Sequence, residues 1–270
     1  MVWATARAHM SNGLQRGTTI ALAGIAILAA GPASAAPCAP ELQGEGRVTE
    51  VTDARSFRLT DGRDVRVLPG LSPLLPAEME AAAKRQRALT AILAGRDVRL
   101  RGEDDTPDRY GRQTAFVWRL PEETLVQQQL LTEGAAVVSA DVNDRECAAA
   151  LLAAEASARE AKRGIWADPA VIKNAESPGD ILAGIGRIML VEGKVLSVRQ
   201  AGATTYLNFG RNWTRDFAVT IPRRALANLT AAGLEPKALE YKNIRIRGVV
   251  EARAGPRIEV VRAGQIELLK

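Results

Sequence analysis

The stretch Val48-Thr49-Glu50-Val51-Thr52-Asp53-Ala54-Arg55-Ser56-Phe57-Arg58-Leu59-Thr60-Asp61-Gly62-Arg63-Asp64-Val65-Arg66-Val67 decides how the chain reads. Its apolar residues Val48, Val51, Phe57, Leu59, Val65 and Val67 come in short alternating runs, the period at which a strand buries one face. Residues 52–54 and the pair Asp61-Gly62 interrupt those runs as turns. Asp-Gly reads as a hairpin, because glycine takes positive φ without a Cβ clash. Three short antiparallel strands are therefore expected from residue 46 onward.

Outward from this meander, Pro76 is expected to open a helix that runs through Leu93 and stops at Gly95. Residues 98–101 and 114–118 read as two more strands around a charged loop, 103–112. Residues 122–131 and 144–163 read as helices ending near Gly134 and Gly164, the second with Glu155 and Arg159 spaced for an i,i+4 pair. Pro169, Pro178, Gly179, Gly184 and Gly186 mark a linker over 167–186. Five further strand candidates follow, at 188–198, 204–209, 217–221, 244–250 and 258–261, with a helix candidate at 222–232 after the third. Three strands, a helix and two strands is the order of an OB-fold barrel, and the first half repeats it. The expected fold class is mainly β with helices (β/α+β), as two tandem OB-fold-like five-stranded barrels over 36–166 and 187–270.

Of 270 residues, 47% are hydrophobic and 25% charged, which describes a globular chain of about two domains. The single histidine, His9, falls in a segment that reads as a secretory leader. Residues 1–35 carry Arg7 and Arg16 without an acidic residue, an 11-residue apolar run at 20–30, and Ala33-Ser34-Ala35 in the small-x-small cleavage pattern. The apolar run is too short to span a bilayer, so no membrane span is expected. Export to the periplasm or the medium would leave a chain without histidine. That excludes a Ser-His-Asp triad, a Cys-His pair and a His-ligated zinc. Formal charge is −4 over 36–179 and +7 over 180–270, so a polyanion should prefer the second half. No pattern in the sequence speaks to oligomeric state.

Asp108-Arg109-Tyr110-Gly111-Arg112, Val65-Arg66-Val67, and Glu155 with Arg159 leading into Gly164-Ile165-Trp166 resemble the staphylococcal nuclease (thermonuclease) family. The 51–59 stretch matches that family's first strand pair in outline. The resemblance implies phosphodiester hydrolysis with calcium as cofactor: carboxylates hold the cation, a glutamate activates or positions water, and two arginines stabilise charge on the phosphate. Arg66 and Arg112 stand where those arginines would be, and Asp53 matches the first acid of the family's D-G-D-T turn. The second acid is Arg55, however, and leucines Leu71 and Leu74 occupy the next two acid positions. No Asp or Glu occurs from 65 to 77. A fixed positive charge where calcium would sit repels it, so the family's cofactor and metal ligands are expected to be largely absent. Asp53, Arg66 and Arg112 then form a vestigial phosphate or metal cleft. The alternatives are that the two arginines pair structurally with Asp53 or Asp108, or that Glu78 or Glu80 rebuilds a working site. Tyr110 is expected to pack within its loop.

The second half has its own cluster, with four aromatics and two arginines between Tyr206 and Phe217. Phe209 and Phe217 fit the barrel core. Tyr206, Arg211, Trp213 and Arg215 are the candidate nucleic-acid-binding residues, because barrels of this order stack bases on exposed aromatics beside positive charge. Arg223, Arg224, Arg245 and Arg247 read as added basic surface. Cys38 and Cys147 are expected to pair in an oxidising compartment, the alternatives being two free thiols or a bridge between molecules. The sequence thus points to an exported nuclease-like protein that binds nucleic acid or another anionic polymer without calcium-dependent cleavage. An active nuclease with a rearranged metal site and a structural envelope protein are the rivals.

Overall fold

The computed structural model describes residue 38 and residues 40–269 apart from 68–70, 73–78, 104 and 143. The expected leader over 1–35 lies outside the described residues, as do Pro76 as a helix start, Leu74 and Glu78. Residues 36–270 form one compact unit.

Strands β1 (Leu42–Val51), β2 (Ser56–Leu59) and β3 (Asp64–Val67) are the expected antiparallel meander. Gly62 takes φ 87° at the Asp-Gly turn. A two-residue strand β4 (Leu71–Ser72) and helix α1 (Met79–Leu93) follow, and the helix ends where Gly95 adopts φ 66°. Strand β5 (Asp97–Arg101) pairs antiparallel with β1, and β6 (Arg112–Arg119) pairs antiparallel with β5 and parallel with β3. The ring β1-β2-β3-β6-β5 is therefore a closed five-stranded barrel. Alternate residues of every strand fill it, among them Phe57, Leu59, Val65, Val98, Leu100 and Val117, with Leu89 and Leu93 of α1 closing one side.

The helix expected at 122–131 starts later. Chain 121–125 first turns back so that β7 (Thr124–Leu125) pairs with β6, and α2 (Val126–Thr132) begins after it. Buried Gln127 of α2 accepts from the Val117 amide (3.1 Å) and donates to the Ala115 carbonyl (2.9 Å), meeting strand groups that would otherwise be orphaned. Strand β8 (Val137–Val138) pairs with β4. Helix α3 (Arg145–Glu160) is capped by Asp144, whose carboxylate accepts from the Cys147 amide, and Cys147 is disulfide-bonded to Cys38.

Residues 167–186 are folded rather than a bare linker. Strand β9 (Ile172–Asn174) adds parallel to β10 (Ile188–Lys194), and the short helix α4 (Pro178–Leu182) buries Ile181 in the second core. The strand expected at 188–198 breaks at Val195-Leu196: β10 pairs with β14 (Asn243–Arg253), whereas β11 (Ser197–Ala201) pairs with β12 (Thr204–Asn208). Strand β13 (Ala218–Pro222), helix α5 (Arg223–Ala231) and β15 (Gly255–Glu259) complete the order β11-β12-β13-β15-β14-β10, with β13 and β15 parallel. Strands β10 and β11, at the two ends of that order, are consecutive in the chain. A last strand, β16 (Ile266–Leu268), lies along β14. Among the described residues, no helix is long and apolar enough to cross a membrane.

The two halves are joined by buried charge. Arg247, 3% exposed, places its guanidinium against both carboxylate oxygens of the fully buried Glu155 (3.0 Å each) and donates to the Val138 carbonyl (3.1 Å). Glu267 accepts from Arg247 (3.1 Å), Arg245 (2.7 Å) and Arg159 (3.1 Å), and Arg159 also pairs with Glu155 as its spacing predicts. Arg245 and Arg247 are thus interior residues, contrary to their reading as basic surface. Burial of a guanidinium is tolerable only with this degree of pairing.

Candidate functional site

Two clusters carry chemistry. The first lies on β2, β3 and the loop into β6. Asp108 is its anchor: its carboxylate accepts from the Tyr110 and Arg112 amides (2.9 and 3.1 Å) and from Arg112 Nε and Nη2 (3.0 and 2.8 Å). The Arg112 side chain is the main reason that this carboxyl is lowered to about 2. Arg66 Nη1 stands 3.9 Å from the same carboxylate, and its buried Nε has no hydrogen-bond partner among the described residues. Arg66 and Arg112 are therefore brought together on Asp108. Asp53, on the neighbouring turn, accepts from the Arg55 amide (2.6 Å). The Arg55 guanidinium is lowered by burial and then by Arg66, against a raising effect of Asp53, with Arg85 and Arg112 lowering it further. Arg85 of α1 is likewise lowered by burial. Tyr110 packs against its own loop, with Arg109 and Arg112 each 4.8 Å from its ring centroid, while the rest of its surface is exposed. Among the described residues, no three His, Cys, Asp or Glu side chains come together as a metal site.

The second cluster is a groove of about 950 Å³ on the outward face of β11, β12 and β13. Strand register sets Arg199, Tyr206 and Thr220 side by side there, while Leu207, Val219 and Ile221 point into the core. The loop 209–217 forms one wall. Phe209 and Phe217 pin its base in the core at 5.1 Å between ring centroids. Above them the Asp216 carboxylate accepts from the Asn212 amide (2.8 Å), and Asn212 Oδ1 accepts from the Thr214 amide (3.1 Å) and hydroxyl (2.6 Å). Gly210 is required here, since an added Cβ would come within 2.0 Å of the Asp216 carboxylate. This small, tied turn holds Trp213 out in solvent, 74% exposed.

Tyr206, Arg211 and Trp213 line the groove as the sequence suggests; Arg215 is exposed but lies outside its lining. Arg199, Tyr241 and Arg253 line it too and were not legible from the local string. Among the described residues, Arg199, Arg211, Arg215 and Arg253 have no carboxylate within ion-pair reach. The Thr220 hydroxyl on the groove floor is buried and has no hydrogen-bond partner among the described residues.

Residues 77–168 match the family model of staphylococcal nuclease homologues. With the closed barrel, this makes the first half a staphylococcal-nuclease-like, OB-like domain. The nuclease-homologue segment includes Arg85, Asp108 and Arg112, whereas Asp53, Arg55 and Arg66 precede it. No curated protein matches the chain.

Proposed function

We propose that this is an exported nuclease homologue that binds nucleic acid without cleaving it, and that the second half is an OB-like module holding a single strand in its groove. The observation that carries the reading is the groove itself. Exposed Trp213 and Tyr241 and half-buried Tyr206 offer flat apolar faces for bases, beside Arg199, Arg211 and Arg253, which among the described residues have no carboxylate partner and would neutralise phosphates. Stacking tolerates any base, and the charge adds affinity that falls with salt. The half that carries the +7 formal charge is the half with the groove.

The first half supports binding over cleavage because its donors do not fit calcium. A hard cation needs several oxygen ligands. Here Asp53 is engaged by its own turn, Asp108 is committed to Arg112, and Arg55 adds positive charge beside them. The Cys38–Cys147 disulfide supports export, since such bridges persist in oxidising compartments.

The test is fluorescence anisotropy of a labelled single-stranded oligonucleotide at low and moderate salt, with the chain lacking residues 1–35. Trp213→Ala is expected to weaken binding by about 1–3 kcal/mol. Unchanged affinity in Trp213→Ala, or no binding to any oligonucleotide at low salt, would refute the assignment.

A further inference from the structure

We propose that Asp216 makes the groove of the second half selective for a single strand carrying guanine, by accepting from the two adjacent N–H groups of that base. The inference rests on the reading of the groove as a single-strand site.

Among the described residues, Asp216 is the only acidic side chain that lines the groove. Its surroundings are basic, since Arg199, Arg211, Arg253 and Arg257 line the same groove. None of them pairs with it. Arg257 Nη2 is committed to Glu251 (2.9 Å), and the other three have no carboxylate within ion-pair reach among the described residues. Asp216 is half-buried, and among the described residues its carboxylate accepts one hydrogen bond, from the Asn212 amide to Oδ2 (2.8 Å). A carboxylate offers about four lone-pair sites, so most of its acceptor capacity is left for a ligand. A negative charge beside a phosphate track weakens the hold on the backbone. That loss is offset only where the ligand brings N–H donors to the carboxylate.

The carboxylate is held in place before any ligand arrives. An added Cβ at Gly210 would come within 2.0 Å of Asp216 Oδ2, and one at Gly255 within 2.6 Å of the Asp216 carbonyl oxygen. The loop and the start of β15 therefore both close on this residue. The Asp216 amide donates to the Asn212 carbonyl (2.8 Å), and the next side chain, Phe217, is fixed in the core. Little ordering remains to be done on binding. Trp213 stands on the same tied turn and lines the same groove, so one turn offers a face to stack on and an acceptor for the edge of the stacked base.

The edge decides the base. Stacking on Trp213 is indifferent to which base it receives. In a single strand the Watson–Crick edge is free to be read. Guanine presents its imino and amino N–H groups side by side there, which two carboxylate oxygens can accept together. Adenine and cytosine each bring one amino group next to a ring nitrogen whose lone pair faces the carboxylate. Thymine and uracil set one imino group between two carbonyl oxygens. Only guanine meets a carboxylate with two donors and no opposing lone pair.

The experiment is fluorescence anisotropy of the full chain without residues 1–35, using a labelled oligothymidine and the same strand with one central guanine, hypoxanthine, adenine or cytosine. The guanine strand is expected to bind about tenfold more tightly than the others, the discrimination of one good bidentate contact. Hypoxanthine lacks the exocyclic amino group and should lose most of that advantage. Asp216→Asn keeps an oxygen for the Asn212 amide and removes the charge. It should abolish the guanine preference and bind plain oligothymidine at least as tightly as the parent. The opposite signs of those two changes distinguish loss of base reading from general damage to the groove. If Asp216→Asn does not fold, the guanine and hypoxanthine strands on the parent chain decide the matter. Absence of binding to every oligonucleotide would overturn the single-strand reading and this inference with it. Binding without a guanine preference, equal affinity for guanine and hypoxanthine, or a preference retained in Asp216→Asn would overturn this inference alone.

Discussion

Arg247→Met should destabilise the protein sharply although Arg247 lies outside both candidate sites. The guanidinium makes two contacts of 3.0 Å with Glu155, one of 3.1 Å with Glu267 and one of 3.1 Å with the Val138 carbonyl. Methionine fills much of the volume and supplies none of these donors. Removing one partner of a buried ion pair costs about 3–5 kcal/mol, because the other charge remains buried and unmatched. Arg159, 3.2 Å from Glu155 on the other side, retains part of the compensation, so the loss should lie near about 3 kcal/mol. For a chain of this size, that is a fall in Tm of about 6–12 °C. Urea unfolding at neutral pH, followed by circular dichroism, measures it. Glu155→Gln removes the charge and keeps an oxygen for the Val138 amide, which donates to Glu155 at 2.7 Å. The double variant Glu155→Gln, Arg247→Met should therefore lose less than the sum of the two single changes. A single-variant loss below about 1 kcal/mol, or strict additivity in the double variant, would refute the claim that this pair holds the two halves together.

Reduction of the Cys38–Cys147 bridge, which spans 109 residues, should lower stability by about 4–5 kcal/mol in the chain-entropy account; unfolding with and without reductant reads this, and equal midpoints would contradict it. Acid should also destabilise the fold. Asp108 is held at about 2 against an ordinary 3.8, so its contribution is complete above about pH 4 and is lost as pH falls toward 2. Burial pushes the Glu267 carboxyl up, yet Arg245, Arg159 and Arg247 together hold it below its ordinary 4.5, which adds loss below that pH. Arg112→Gln should flatten the acid limb of a Tm-against-pH curve between about pH 4 and 2, and an unchanged limb would count against the Asp108 assignment. Calcium should not stimulate cleavage of DNA or RNA above a buffer control; turnover that disappears in Arg66→Ala would overturn the non-catalytic reading. Arg211→Ala should reduce the salt dependence of oligonucleotide binding by about one unit of slope at most, and an unaltered slope would remove Arg211 from the interface.

What the sequence alone determined is what local chemistry encodes. Alternation of Phe57 with Leu59 and of Val65 with Val67 specified short half-buried strands, and Gly62 and Gly95 marked positions where the chain takes positive φ. The string from Tyr206 to Phe217 was legible as a candidate site because Phe209 and Phe217 anchor it while Trp213 is displayed by a turn only a few residues long. Tertiary structure alone decided which charges are interior. Arg245 and Arg247 look like surface residues in a strand, and become core only because Glu155, 92 residues before Arg247, is folded against it. A charge can be buried only with a matched partner, and that partner is set by packing between elements far apart in the chain. Long-range packing likewise brought Tyr241 and Arg253 to the groove while leaving Arg215 outside it. It also drew 167–186 into the second sheet and core, because glycine and proline report where a chain turns and carry no information about what then pairs with it.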